Sequence, residues 1–166
     1  IREDNPVIFL EHKMLYVGKK ALVPEQPYAI PIGKAVIKRA GQDVTLVATL
    51  AMVESALQAA TILEAEGIDV EVIDPRTLRP LDTEAIRSSV ARTRRALIVD
   101  EGWKSVGLSA EIMARILEEA FYELDAPPRR LCTREVPIPY AKHLEDAAIP
   151  QVPGIVQAAK ELMGRG

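Results

Sequence analysis

Three short runs of apolar and β-branched residues constrain this chain more than any other feature: Val44-Thr45-Leu46-Val47-Ala48, Val70-Glu71-Val72-Ile73 and Ala96-Leu97-Ile98-Val99. Each is nearly uninterrupted and is followed by polar or turn residues, which is the pattern of strands buried on both faces of a parallel sheet. Such strands need cover on both sides, and the intervening segments supply it. From Met52 to Glu66, the apolar residues Val53, Ala56, Leu57, Ala60 and Leu63 recur at helical spacing, and Gly67 predicts a left-handed stop. Asp82 to Thr93 opens with Asp82 and Glu84 and closes towards Arg92, Arg94 and Arg95, charges that suit the two ends of a helix dipole. Leu108 to Leu124 carries Leu108, Ile112, Ile116, Leu117 and Ala120 before Pro127-Pro128. Val152 to Met163 is a shorter amphipathic segment through Ile155, Val156, Ala159 and Leu162. This alternation predicts an α/β sandwich with right-handed crossovers. Val7-Ile8-Phe9-Leu10 and, more weakly, Arg130-Leu131-Cys132-Thr133 are two further strand candidates.

Composition removes several function classes. With 166 residues, 48% of them hydrophobic, one domain can bury a core without disulfide or metal support. Cys132 is the single cysteine and His12 and His143 the only histidines, so neither an internal disulfide nor a structural zinc site is expected. A balance of 24 acids against 21 bases gives no reason to expect nucleic acid. No apolar run reaches the length of a bilayer span. Ile1-Arg2-Glu3-Asp4-Asn5 lacks a secretion-signal pattern, and the expectation is a cytoplasmic protein.

The first 30 residues differ from the rest. Val7–Leu10 reads as a strand with no helix after it, and Pro24, Pro27 and Pro31 follow in a stretch without periodicity. Residues 1–16 are therefore expected to end a preceding domain, 17–31 to link it, and 32–166 to form the domain proper. The other reading makes Val7–Leu10 an edge strand of the same sheet.

Familiar catalytic motifs are missing. The glycines never fall as GxGxxG or as a phosphate-binding loop, and there is no HExxH, GxSxG or CxxC. Asp100-Glu101-Gly102-Trp103 follows a predicted strand, where open α/β sheets bind ligands. Its paired acids suit a cation or acid–base work, or else solvation and helix capping. Trp103 fits an interface anchor or a packing residue equally. Asp74-Pro75-Arg76-Thr77-Leu78-Arg79-Pro80 ends another strand, and its arginines suit an anion or, more simply, ion pairs with nearby acids. Glu11 and His12 are adjacent and so point to opposite faces, which favours a structural or interface role over catalysis. Cys132 reads as a small buried hydrophobe and His143, among charged neighbours, as a surface residue.

The order of segments carries a resemblance. Asn5-Pro6-Val7-Ile8-Phe9-Leu10-Glu11-His12-Lys13, Pro31-Ile32-Gly33-Lys34-Ala35, Asp43-Val44-Thr45, Arg76-Thr77-Leu78-Arg79-Pro80-Leu81-Asp82, Asp100-Glu101-Gly102-Trp103, Leu124-Asp125-Ala126-Pro127 and Val136-Pro137-Ile138-Pro139-Tyr140-Ala141 occur in series. Together they closely resemble the C-terminal part of the β subunit of thiamine-diphosphate-dependent 2-oxo acid dehydrogenase E1 components, whose last domain is similar to the transketolase C-terminal domain. The resemblance implies a three-layer α/β/α sandwich with a mostly parallel sheet of about five strands. It also implies thiamine diphosphate and magnesium in the full enzyme, bound outside these residues, with no catalytic, cofactor-binding or metal-binding residue in this chain. The implied partners are an E1 α subunit, a second β subunit and the basic peripheral subunit-binding domain of the E2 acyltransferase, with no nucleic acid or membrane. Asp125 matches the family's acidic docking position, and Glu101, Trp103 and His12 are interface candidates. The terminus Leu162-Met163-Gly164-Arg165-Gly166 is longer and more basic than the family pattern. Another transketolase-like thiamine-diphosphate enzyme and a free-standing interaction domain are the alternatives.

Overall fold

A computed structural model describes residues 3–17 and 22–164. Five strands form one sheet in the order β1-β3-β2-β4-β5: β1 Val36–Arg39, β2 Val44–Ala48, β3 Val70–Asp74, β4 Ala96–Trp103 and β5 Arg129–Thr133. All neighbours are parallel except β1, which runs antiparallel to β3. The apolar runs Val70–Ile73, Val44–Ala48 and Ala96–Val99 lie in β3, β2 and β4, side by side at the centre, and every residue of β2 is buried.

Helices cover both faces. On one side α1 (Ala51–Ala65) and α5 (Val152–Leu162) enclose Val44, Leu46, Ala48, Val70, Val72, Leu97 and Val99. On the other, α2 (Thr83–Thr93) and α3 (Leu108–Ala120) cover Val47, Ala96 and Ile98. Residues one apart along a strand thus serve opposite cores, as the period of two demands. Fully burying each Val, Leu or Ile contributes on the order of 1.5–3 kcal/mol. The predicted helix ends are present as well. Gly67 has φ +74°, and Gly67 N–H and Ile68 N–H bond the carbonyls of Glu64 and Leu63 in a Schellman stop. Asp82 caps α2, its Oδ1 accepting from Ala85 N at 3.3 Å.

Two expectations need correction. Val7–Leu10 is not a strand: residues 3–12 contain no strand, and Ile8 and Phe9 are 87% and 81% exposed. Its apolar side chains meet no partner strand in this sheet, so no ladder forms. The edge position belongs instead to β1, unmarked in the sequence because Val36-Ile37 runs straight into Lys38-Arg39. That pattern suits an edge, where basic side chains block further pairing. The seven-residue helix α4 (Lys142–Ala148) was also not expected; its exposed first turn carries Lys142 paired with Asp146. The third predicted helix, expected to run to Leu124, ends at Ala120 and is followed by a 3₁₀ turn over Phe121–Glu123.

Candidate functional site

Asp100, Glu101, Trp103, His12 and Cys132 gather at the carboxyl end of β4, whereas Asp125 lies at the other end of that strand, beside Arg94 and Arg95. Asp100 turns inward and is 8% exposed. Its Oδ1 accepts from Gly102 N at 2.9 Å and its Oδ2 from Ser109 N at 3.1 Å. Helix α3 begins after Gly107, which has no side chain to cap it, so the strand carboxylate satisfies an N–H of the helix's first turn. Gly107 is required for this approach, since a Cβ there would lie 2.1 Å from the Trp103 carbonyl oxygen. Ser109 Oγ stands 3.3 Å from Cys132 Sγ, which ties the start of α3 to β5.

Glu101 faces elsewhere. Its Oε2 lies 3.2 Å from His12 Nε2, joining the N-terminal segment to the sheet. Glu11 points away and accepts a hydrogen bond from the Tyr16 hydroxyl, whose pKa that bond raises. The neighbours Glu11 and His12 therefore diverge, as adjacent extended residues should. The paired acids Asp100 and Glu101 are likewise divided, one capping a helix and one holding a histidine.

Trp103 is half-exposed, and the loop after it carries the exposed Val106. Ser105 N donates to Glu135 Oε1 at 2.8 Å, fixing this loop to the one that bears the exposed Val136, Ile138 and Tyr140. The hydrogen bond from the Ser105 side chain, reinforced by the backbone N–H, holds the Glu135 carboxyl below its ordinary range.

Asp125 lies past the 3₁₀ turn that follows α3, on the surface. Its Oδ1 accepts from Arg94 Nε at 2.7 Å, Arg95 lies 3.6 Å from Oδ2, and its backbone N–H bonds the Arg94 carbonyl at 2.8 Å. An acid after a helix C-terminus, unfavourable to the dipole, is thus accommodated by the two arginines that end α2. The side chain remains 36% exposed. Arg76 and Arg79 make no ion pair among the described residues, contrary to the simpler expectation; Arg76 adopts φ +58° and its N–H bonds Asp74 Oδ1 at 3.0 Å. Cys132 is half-buried rather than buried, and His143 is exposed as expected.

Sequence reasoning missed one buried network. Glu71, 1% exposed on β3, accepts from Ser89 and pairs with Arg92 of α2. A lone acid inside an apolar strand was the available signal, because a buried carboxylate requires a cation or donors.

Among the described residues no three His, Cys, Asp or Glu side chains converge as a metal site. The acids nearest the sheet's carboxyl end are engaged by Gly102, Ser109 and His12. These residues do not fit a magnesium-bound diphosphate.

The family model "Transketolase, C-terminal domain" matches residues 33–155. The chain is 46% identical over 99% of its length to a mitochondrial pyruvate dehydrogenase E1 component subunit beta from Dictyostelium discoideum, covering 47% of that protein. It is 46% identical over 98% of its length to the corresponding subunit of Rickettsia felis, covering 49% of it. The chain thus spans about half the length of the curated relatives it matches. Among solved structures, the inactive beta4 tetramer of a split-gene transketolase aligns with TM-score 0.72 and 25% identity, over 88% of this chain and 46% of that one. The chain belongs to the transketolase C-terminal domain family, and its relatives are pyruvate dehydrogenase E1 β subunits.

Proposed function

We propose that this chain is the C-terminal domain of an E1 β subunit and serves oxidative decarboxylation of a 2-oxo acid, with pyruvate the substrate that its relatives' names favour. In this reading thiamine diphosphate and magnesium belong to the assembled enzyme, and this domain contributes subunit assembly and E2 docking. The observation that carries the assignment is identity of about half running almost end to end with E1 β subunits. The 25% identity to a transketolase supports the same fold and ranks the transketolase-like alternative second.

The assembly role draws on the surface. Trp103, Val106, Val136, Ile138 and Tyr140 are exposed on two loops joined by the Ser105–Glu135 hydrogen bond, and Val7 to Leu10 are exposed on the N-terminal segment. Apolar surface concentrated in this way favours burial against an α subunit or a second β subunit. For docking, Asp125 presents a carboxylate to a basic E2 binding domain, and Arg94 and Arg95 fix its orientation. An acidic contact of this kind speeds association and weakens with salt.

Light scattering of the chain mixed with an E1 α subunit tests the assembly role, with a stable mixed complex expected. Decarboxylation assayed on the chain alone with pyruvate, thiamine diphosphate and magnesium should show no turnover. Turnover by the chain alone would contradict the division of labour proposed here.

A further inference from the structure

Residues 3–17 are exposed at every position except His12. That exception coincides with a side-chain contact between this segment and the domain, His12 Nε2 to Glu101 Oε2 at 3.2 Å, with both side chains 26% exposed. The two ring nitrogens have distinct tasks. Nδ1 accepts from the backbone N–H of Met14 at 3.3 Å, so in the neutral ring the proton sits on Nε2 and is donated to Glu101. The His12 carbonyl accepts from Leu15 N at 3.0 Å and starts the 3₁₀ turn Lys13–Val17. Tyr16 then reaches back to Glu11 and closes the same turn. One residue therefore both organises the turn and attaches it to the domain.

The anchor on the other side is rigid. Glu101 belongs to β4, which lies between β2 and β5, and the preceding residue Asp100 is fixed by its bonds to Gly102 and Ser109. Between Asp100 and Trp103 the pairing with β5 shifts register. An irregularity of this kind re-aims side chains at the end of a strand.

We infer that His12 and Glu101 form a clasp that pins the turn Lys13–Val17 to the carboxyl end of β4. The clasp holds Met14, Leu15, Tyr16 and Val17, all large and exposed, in one fixed presentation. Its consequence for assembly rests on the function proposed above, whereas the clasp itself does not. Both residues are positioning residues and touch no reacting atom.

The test is hydrogen exchange of the full chain, read at the backbone amides of residues 13–17. A partly exposed pair of this kind corresponds to roughly a fivefold change in a local opening equilibrium. His12→Ala and Glu101→Ala should each raise exchange in the turn by about that factor, with the melting temperature of the domain unchanged. The exchanged pair, His12→Glu with Glu101→His, should recover part of the protection, because the contact across to β4 is rebuilt in reverse while the Nδ1–Met14 bond is not. Exchange at wild-type rates in both alanine variants would overturn the clasp, as would a double variant no better protected than the singles. A mixed-complex measurement on wild-type protein separates this outcome from the assembly reading: loss of α-subunit binding there contradicts assembly and leaves the exchange result intact.

Discussion

The sheet and the N-terminal segment are both rich in apolar residues, yet they meet opposite fates. In β2, Val44, Leu46, Val47 and Ala48 are all wholly buried between two helical layers. In the segment, Val7, Ile8, Phe9 and Leu10 are 55–87% exposed and form no strand. Composition does not separate them. What separates them is cover: helical segments follow β2, β3 and β4 along the chain, whereas Val7–Leu10 is followed by a 3₁₀ turn and a proline-containing stretch. An apolar run specifies a strand only where something in the same molecule can complete its hydrogen bonds and bury its faces.

The sharpest way to break this comparison is a matched pair of truncations. Leu46→Ala should lower stability by about 2–5 kcal/mol through lost burial and a residual cavity. Ile8→Ala should change it by less than about 0.5 kcal/mol, since its side chain is already in water. Denaturant unfolding of both variants checks this; equal losses would mean that the segment packs on the core. Next in size, Glu71→Ala should cost about 2–3 kcal/mol by leaving the buried Ser89 hydroxyl without its acceptor, while the half-exposed Arg92 turns to water, also read by denaturant unfolding. A wild-type midpoint would show that the network is incidental. Gly107→Ala should follow at about 1–3 kcal/mol, because the new methyl meets the Trp103 carbonyl and displaces the loop that supports Trp103 and Val106. Thermal unfolding together with Trp103 fluorescence reports both effects.

The smallest effect concerns pH. The hydrogen bonds from Ser105 hold the Glu135 carboxyl below its ordinary pKa, so the link between the two loops is fully present above the unfolded value. It is lost as pH falls through the lowered folded value. The Ser105 amide resonance should therefore shift on acidification below the ordinary carboxylate range, and Glu135→Gln should flatten that titration. A titration unchanged by the substitution would remove Glu135 as its source.

How much was legible follows from whether the signal was local. The helices over Ala51–Ala65 and Thr83–Thr93 carry periodicity and terminators within their own windows, and both formed close to the predicted limits. Strand β1 exists through its pairing with β3, far along the chain, and its own four residues hold no alternation. The site divides in the same way. Asp100 and Glu101 could be located at a strand end from the sequence, but their separate fates depend on Ser109 and His12. Asp125 was singled out by resemblance, while Arg94 and Arg95, which hold it, became its partners only in the fold. Local pattern finds the elements, and long-range pairing decides what their polar residues do.

The central claim, that this domain assembles and docks rather than catalyses, meets its most direct test in calorimetric titration with the basic peripheral subunit-binding domain of an E2 acyltransferase. The titration would use wild-type protein and Asp125→Lys at low and high salt. Binding should weaken as salt rises and fall at least tenfold in the variant, with the melting temperature shifted only slightly, because the ion pairs lost are exposed. Binding that is indifferent to both salt and Asp125→Lys, or no binding by an assembled α–β enzyme, would contradict it.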